Sequence, residues 1–251
     1  DKMTNIHDWD TDTTIFVYKN DKKSSMVKFS GHLMLETCSF DVKNFDVLPN
    51  VITKETLSIF EKLRGTQKIN KFVKVQTHNT NIKHKIDGKV TISDNKIDKN
   101  VYPIVHGTNV YRKNEHHNYV DNMRIMYTNK KHLDSDFKKF AISRGDRTNK
   151  FTIIDKGFGV SHDVIYLKED AKFKFEMLEL LTSSKLFEFL MRYSRYTNFN
   201  EESVMNRILP YVKIDSNIKD VDEFFNNKFN FTNVEIQYIN SNNGGAFVGA
   251  H

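Results

Sequence analysis

Three short runs rich in β-branched and aromatic residues lie close together in the middle of this 251-residue chain. They are residues 137–143, 151–155 and 164–167, and their composition and length are typical of strands. The first two runs are predicted to pair across the polar segment 144–150, and a second polar segment, 156–163, precedes the third run. The middle of the chain is therefore expected to form part of a sheet.

Helical periodicity is clearest at residues 176–193, where leucine and phenylalanine recur mainly on one face. The pattern predicts one long helix, with Ser183-Ser184 as a candidate break near its middle. Residues 50–64 predict a second helix, with Thr53 as its N-cap and Gly65 at its end. Smaller helices are predicted at residues 201–208, 221–229 and 232–240.

Further strands are predicted at residues 13–19, 26–29, 72–76, 89–92 and 123–127, the first two as partners across a polar turn. Strands, a helix and more strands therefore precede the long helix. This order predicts an α+β fold, with a mixed, mainly antiparallel sheet region, a long helix in the C-terminal half and small terminal helices.

Charge and cysteine content limit the classes of partner and compartment. Lys and Arg number 38 against 32 Asp and Glu, a net charge of +6, which fits either an acidic partner or a solvated, lysine-rich surface. A single cysteine, Cys38, excludes a disulfide within one chain and favours an intracellular, cytoplasmic location. No apolar run approaches the ~20 residues that span a bilayer, and the polar, acidic start is unlike a secretory signal, so no membrane partner is expected.

The sequence lacks the usual motifs of cofactor and metal chemistry. No Gly-rich dinucleotide or phosphate loop follows a predicted strand, and His116-His117 lacks the spacing of metal ligands on a helix. Asp155-Lys156 and Glu169-Asp170 offer parts of a metal-dependent nuclease site, which needs clustered carboxylates near a lysine, without forming a compact one. No catalytic, cofactor-binding or metal-binding residue is therefore predicted in this chain.

Residues 153–167, IIDKGFGVSHDVIYL, carry a resemblance to a known family. They resemble the turn and strand in the specificity region of adenine-N6 DNA methyltransferases, the TaqI-like and type IIG restriction–modification enzymes. In that signature a Ser/Thr-x-Asp pattern, here Ser161 to Asp163, announces the strand. Other segments that resemble the family follow its order: residues 13–17, 56–63, 102–112, 180–189, 222–225 and 231–239. In the last of these Phe231 replaces the leucine of a Leu-Thr-x-x-Glu-Ile-x-x-Ile pattern.

The resemblance implies a target-recognition domain at residues 51–215. It also implies an N-terminal strand segment at 1–50, either the tail of a catalytic-type domain or a sheet edge, small C-terminal helices at 216–241 and a flexible tail at 242–251. The catalytic Asn/Asp-Pro-Pro-Tyr/Phe motif and the Gly-rich S-adenosylmethionine loop of the family are absent. S-adenosylmethionine is therefore expected on an upstream catalytic domain or a separate methyltransferase subunit, and double-stranded DNA is the expected ligand of this chain.

DNA readers combine cationic and polar contacts to phosphates with a few side chains that read base edges. Residues 144–150 supply both kinds. Arg144 and Arg147 can pair with guanine and Asn149 with adenine, and Lys150 can contact phosphate. The alternative is an ordinary charged loop in which Asp146 pairs with an arginine.

Three further groups of polar residues are candidate DNA contacts. Each has a simpler interpretation, either as a solvated loop or, for the third group, as cations that complement a helix C-terminus. The groups are Thr108, Asn109, Arg112 and Lys113; Asn81, Lys83 and Lys85; and Arg192 and Arg195. The leading hypothesis is thus a DNA-recognition module, and the alternatives are a basic structural or protein-interaction domain and a metal-dependent nuclease.

Overall fold

The structure, a computed structural model, describes residues 26–29, 38–71, 76–77, 102–107, 126–128, 131–145, 151–168, 175–194, 202–213 and 217–241. The strands within these ranges are β1 Met26–Phe29, β2 Cys38–Asp41, β3 Gln76–Thr77, β4 Tyr102–Val105, β5 Met126–Thr128, β6 Lys139–Ser143, β7 Thr152–Ile154, β8 Gly159–Val160 and β9 Val164–Lys168. The α-helices are α1 Lys54–Lys62, α2 Phe175–Ser183, α3 Lys185–Tyr193, α4 Glu202–Ile208, α5 Val221–Lys228 and α6 Asn233–Ser241.

A four-stranded antiparallel sheet lies at the centre of the described fold, in the order β3-β9-β6-β7. β6 pairs along its whole length with β9, from Lys139 opposite Lys168 to Ser143 opposite Val164. Its other neighbour is β7, in which Thr152 lies opposite Ala141. The predicted pairing of the first two strand-like runs is confirmed.

Two smaller sheets complete the described strands. β1 pairs with β2 in antiparallel register, and β4 lies between β5, its antiparallel partner, and β8, its parallel partner. The parallel pair places Val105 beside Val160. β8 lies inside the segment that the sequence indicates only as a polar insert, so this pairing was not predicted.

The central sheet is buried on both faces because a different layer packs against each one, and successive side chains of a strand point to opposite faces. On one face Phe140, Ile142 and Ile165 pack with residues of the helices, including Phe187 and Leu178, in the largest hydrophobic cluster. On the other face Ala141, Ile154, Val164 and Tyr166 pack with Val105 and Val160 from the β4–β8 pair. The described fold therefore has a helical layer, a central sheet and a smaller sheet.

The predicted single long helix is wrong, and the break lies within the candidate pair Ser183-Ser184. Residues 175–193 form two nine-residue helices, α2 and α3, separated at Ser184. The Ser184 hydroxyl donates to the Leu181 carbonyl oxygen at 2.7 Å and accepts from the Phe187 amide at 3.1 Å. Because Ser184 has extended backbone angles, φ −77° and ψ 149°, it ends one helix and caps the next.

The remaining predictions of helices and strands agree well with the described residues. α1 begins after Thr53, whose hydroxyl accepts from the Thr56 amide at 3.1 Å while the Thr56 hydroxyl accepts from the Thr53 amide at 2.8 Å. α4, α5 and α6 correspond to the three predicted small helices. The mixed α+β class and the mainly antiparallel pairing are confirmed. Predicted strands 13–19 and 89–92, and most of 72–76 and 123–127, lie outside the described residues.

The C-terminal helices share the main core with the rest of the fold. Phe225, Phe229 and Ile239 belong to the same buried cluster as Ile59 of α1 and Phe189 of α3. The predicted domain division stays a prediction. In the described part of the chain, no helix is both long enough and apolar enough to cross a membrane.

Candidate nucleic-acid interface

Three of the predicted DNA-contacting segments follow strands that end at the same edge of the fold. β9 begins at Val164, which lies opposite Ser143 at the end of β6. The next residue of β9, Ile165, lies opposite Thr77 at the end of β3. Since both pairings are antiparallel, β3 and β6 each end where β9 begins. The predicted segments 79–85 and 144–150 follow these two strand ends.

Asp163 connects the third strand end to this edge. Its Oδ2 atom accepts a hydrogen bond from the Gly107 amide at 3.1 Å, just after β4. Its main-chain oxygen accepts from the Arg144 amide at 2.8 Å, just after β6. We call Thr77, Gly107, Arg144 and Asp163 together the Asp163 edge. Each of the three predicted loop segments begins at, or soon after, one of the residues Thr77, Gly107 and Arg144.

The second carboxylate oxygen of Asp163 and its neighbours complete the connection. The Ser161 hydroxyl donates to Oδ1, and the Ser161 amide donates to the Val105 carbonyl oxygen at 3.1 Å. His106 Nδ1 lies 3.3 Å from Oδ2, with both side chains partly exposed. One carboxylate therefore joins the end of β4 to the turn that precedes β9.

Gly107 is required to be a glycine by its distance from Asp163. A Cβ atom added there would lie 2.8 Å from the Asp163 main-chain oxygen and 2.7 Å from Cγ. Both distances are shorter than van der Waals contact, so any larger residue would push β4 away from Asp163. The sequence indicates a glycine turn at this position without indicating its partner.

The structure places two of the predicted DNA-contacting residues. Arg144 is half-buried at the Asp163 edge, and Arg192 is half-buried in the last turn of α3, in the helical layer. The Arg192 carbonyl oxygen accepts from the Asn50 side chain at 3.1 Å, so this helix end is capped by a residue that precedes α1. The other predicted contacts lie outside the described residues: Thr108, Asn109, Arg112, Lys113, Asn81, Lys83, Lys85, Arg147, Asn149, Lys150 and Arg195.

A buried polar cluster between the two sheets was not predicted. Lys139 of β6 is fully buried, and its Nζ donates to the carbonyl oxygens of Asp134 at 2.6 Å and Phe137 at 2.9 Å. His132 and Asp134 are also buried, with Nδ1 and Oδ1 separated by 3.8 Å. The amide of Val160 in β8 donates to Asp134 at 3.4 Å. The cluster thus fastens the turn at residues 133–136 to both sheets.

Burial dominates the ionisation of this cluster. It lowers the pKa of Lys139 from 10.5 to about 8, against the opposing charges of Asp134, Asp155 and Asp136. Burial and the charge of Asp134 also raise the pKa of Tyr166 to about 12. Perturbed groups of this kind often mark reactive sites, but Lys139 has no exposed surface. A structural role therefore explains the cluster. The sequence offers little signal for it, because Lys139 begins β6 directly after the exposed Lys138.

A second ionic group lies in the helical layer, at the start of α6. Glu235 accepts hydrogen bonds from Lys62 Nζ at 2.6 Å, from the Ser58 hydroxyl at 2.7 Å and from the Thr232 amide at 2.6 Å. Burial alone would raise the pKa of Glu235, but these hydrogen bonds outweigh it and lower the pKa to about 2. Thr232 and Glu235 form a capping box, which joins α6 to α1.

Comparison with known proteins gives no match, either to a protein-family model or to a curated protein. Among the described residues, no group of three or more His, Cys, Asp and Glu side chains is placed to hold a metal ion. The exposed Asp155 and Lys156 lie in the turn after β7, at the opposite end of the sheet from the Asp163 edge. The Asp163 edge is therefore the strongest candidate site in the described structure.

Proposed function

We propose that this chain is a sequence-specific recognition module for double-stranded DNA, the specificity part of an adenine-N6 DNA methyltransferase of the restriction–modification type. The observation that carries the proposal is the convergence of strand ends at the Asp163 edge. β3, β4 and β6 all end there, and each precedes a segment rich in potential DNA contacts. Loops that extend from one edge of a rigid sheet can contact one ligand surface together.

The proposed roles follow from side-chain chemistry. Arg144 and Arg147 read guanine through paired hydrogen bonds to O6 and N7, and Asn149 reads adenine through N6 and N7. Phosphate contacts set the register of the module on the duplex without reading sequence. The residues proposed to hold phosphate are Lys150, Thr108, Asn109, Arg112, Lys113, Asn81, Lys83 and Lys85. Arg192 and Arg195 are the weaker candidates, because Arg192 lies in the last turn of α3, in the helical layer.

The proposal assigns methyl transfer to a different domain or subunit. The chain has prolines only at positions 49, 103 and 210, so no Pro-Pro catalytic motif is present. S-adenosylmethionine would bind the catalytic partner, in the cytoplasm. The chain by itself is expected to bind DNA without methylating it.

Salt-dependent binding to a labelled duplex tests the proposal directly. If about five phosphates are neutralised, the slope of log K against log salt is expected near −4 to −5. Competition with heparin separates simple attraction to a polyanion from a preference for DNA. Binding that does not respond to salt, or equal competition by heparin and every duplex, would contradict the proposal. Duplex cleavage in the presence of a divalent metal would instead support the nuclease alternative.

A matched pair of double variants tests the location of the interface. Arg144→Ala with Arg147→Ala removes two positive charges from the predicted segment. Lys138→Ala with Lys156→Ala removes the same charge from exposed residues at the opposite end of the sheet. The first pair is expected to lose ~1–3 kcal/mol for each paired base contact, while the second retains near wild-type binding. Equal losses from both pairs would contradict the assignment of the Asp163 edge.

A further inference from the structure

Asp163 differs from the other residues of the Asp163 edge because it contacts two strand ends at once. Its side chain holds the amide of Gly107, which follows β4, and its main chain holds the amide of Arg144, which follows β6. β4 belongs to the smaller sheet and β6 to the central sheet. The residue therefore fixes the separation between the ends of strands in two different sheets.

We propose that Asp163 is the positioning residue that sets the spacing between Gly107 and Arg144. The proposed phosphate-contacting segment follows Gly107 and the proposed base-reading segment begins at Arg144, so this spacing influences the base preference of the module. The inference rests on the proposed function, because it concerns how the same edge discriminates between DNA sequences. Asp163 itself does not contact DNA in this scheme, since its carboxylate is occupied by protein donors. It acts through the main chain at Gly107 and Arg144.

Three features of the site support a positioning role. The two carboxylate oxygens have separate donors, the Gly107 amide on Oδ2 and the Ser161 hydroxyl on Oδ1. The contact at Gly107 tolerates no Cβ atom, so the spacing between β4 and Asp163 has little freedom. The Ser161 amide also donates to the Val105 carbonyl oxygen. This hydrogen bond holds the turn that precedes β9 against the end of β4. Base readout depends on such fixed placement, because paired hydrogen bonds to a base edge require defined geometry.

The test compares Asp163→Ala with Asp163→Asn in the full chain. Both variants remove the same negative charge, so both change phosphate attraction equally. Asparagine can still accept from the Gly107 amide through its oxygen, while its amide group donates to the Ser161 hydroxyl, which accepts. Alanine keeps only the main-chain hydrogen bond to Arg144. A difference between the two variants therefore reports the geometry of the connection and not its charge.

The measurement is the enrichment of bound sequences from a duplex pool with a randomised central segment, together with the salt slope of binding. Asp163→Ala is expected to reduce the enrichment of the preferred sequence about tenfold, as for loss of one paired base contact. Its salt slope should match that of Asp163→Asn, because phosphate contacts persist. Asp163→Asn should restore most of the enrichment. Hydrogen exchange at Gly107 should be faster in Asp163→Ala alone.

The possible outcomes separate the inference from the proposed function. If wild-type protein binds every duplex equally or not at all, the proposed function fails, and the positioning role fails with it. If wild-type protein selects a sequence and Asp163→Ala selects it equally well, only the positioning role is overturned. Should Asp163→Ala fail to fold, Ser161→Ala and Gly107→Ala take its place, since each disturbs the same connection from the other side. Unchanged enrichment in both of these variants would also overturn the positioning role.

Discussion

Because Lys139 is buried, the free energy of unfolding is expected to rise with pH in the alkaline range. The pKa of Lys139 is lowered from 10.5 to about 8 in the folded state because burial disfavours the charged form. Between these two values the unfolded chain binds the proton more strongly than the folded chain does. Stability therefore rises with pH in this interval. The charged lysine weakens the fold at neutral pH, and deprotonation removes that penalty.

The size of the effect follows from the same pKa values. A one-unit difference in pKa corresponds to about 1.4 kcal/mol. From pH 8 to pH 10, the folded state loses its proton while the unfolded state mostly keeps it, so the free energy of unfolding rises by about 2 kcal/mol. Above pH 10 the trend weakens, because burial raises the pKa of Tyr166 to about 12. As pH rises from 10 to about 12, the Tyr166 phenol stays protonated in the folded chain but ionises in the unfolded chain. Its contribution therefore lowers the free energy of unfolding over this range.

Urea unfolding followed by circular dichroism between pH 7 and pH 10 measures this dependence. The informative quantity is the change with pH, because Lys139→Met also removes hydrogen bonds to Asp134 and Phe137 and changes stability at every pH. Lys139→Met is expected to flatten the profile. Lys138→Met, at the exposed neighbour, is the control and should keep the wild-type profile. A wild-type profile that falls between pH 8 and pH 10, or identical profiles for both variants, would refute the reasoning.

Three other predictions concern acid stability, the helix break and the close contact at β4. Because hydrogen bonds lower the pKa of Glu235 to about 2 from 4.5, stability should fall by about 3 kcal/mol as pH drops through this range; Glu235→Gln should show a flatter acid profile in thermal melts, and an unchanged profile would contradict this assignment. Ser184→Ala should cost about 1 kcal/mol in urea unfolding through loss of the α3 cap, against almost no cost for the exposed Ser183→Ala, and equal costs would argue against a cap. Gly107→Ala should lower stability by about 1–3 kcal/mol because its Cβ would meet Asp163, so a melting temperature equal to wild type would show that β4 can shift freely.

Local signals in the sequence predict much of the secondary structure. The N-cap at Thr53 and the β6–β7 pair depend on neighbouring residues, and both agree with the structure. Ser184 shows the limit of apolar periodicity, because only the serine pair itself, and not the spacing of apolar residues, indicates the break. Apolar residues recur at helical spacing on both sides of it, so periodicity alone predicts one helix. The break depends on one hydroxyl that bonds to Leu181 and Phe187, and periodicity does not contain that information.

The candidate site was harder to predict because it depends on contacts between distant parts of the chain. β8 has only two residues and pairs with β4, more than 50 positions earlier. No local pattern distinguishes such a strand from a loop. Lys139 was missed for a related reason. A strand can be recognised as buried on both faces only when the layers that cover it are known. Without that information, a lysine in a strand indicates an exposed face.

The segments that resemble the methyltransferase family have different structural roles in this fold. Thr232 and Glu235 form a capping box, and Ser184 caps α3. Many unrelated helices start in these ways, so the two patterns carry little functional information. Ser161 and Asp163 are different, because together they join the end of β4 to the start of β9. That arrangement requires two sheets placed as they are here. The Ser-x-Asp pattern is therefore the part of the resemblance on which the proposed function depends most, and Asp163 is the residue at which to test it first.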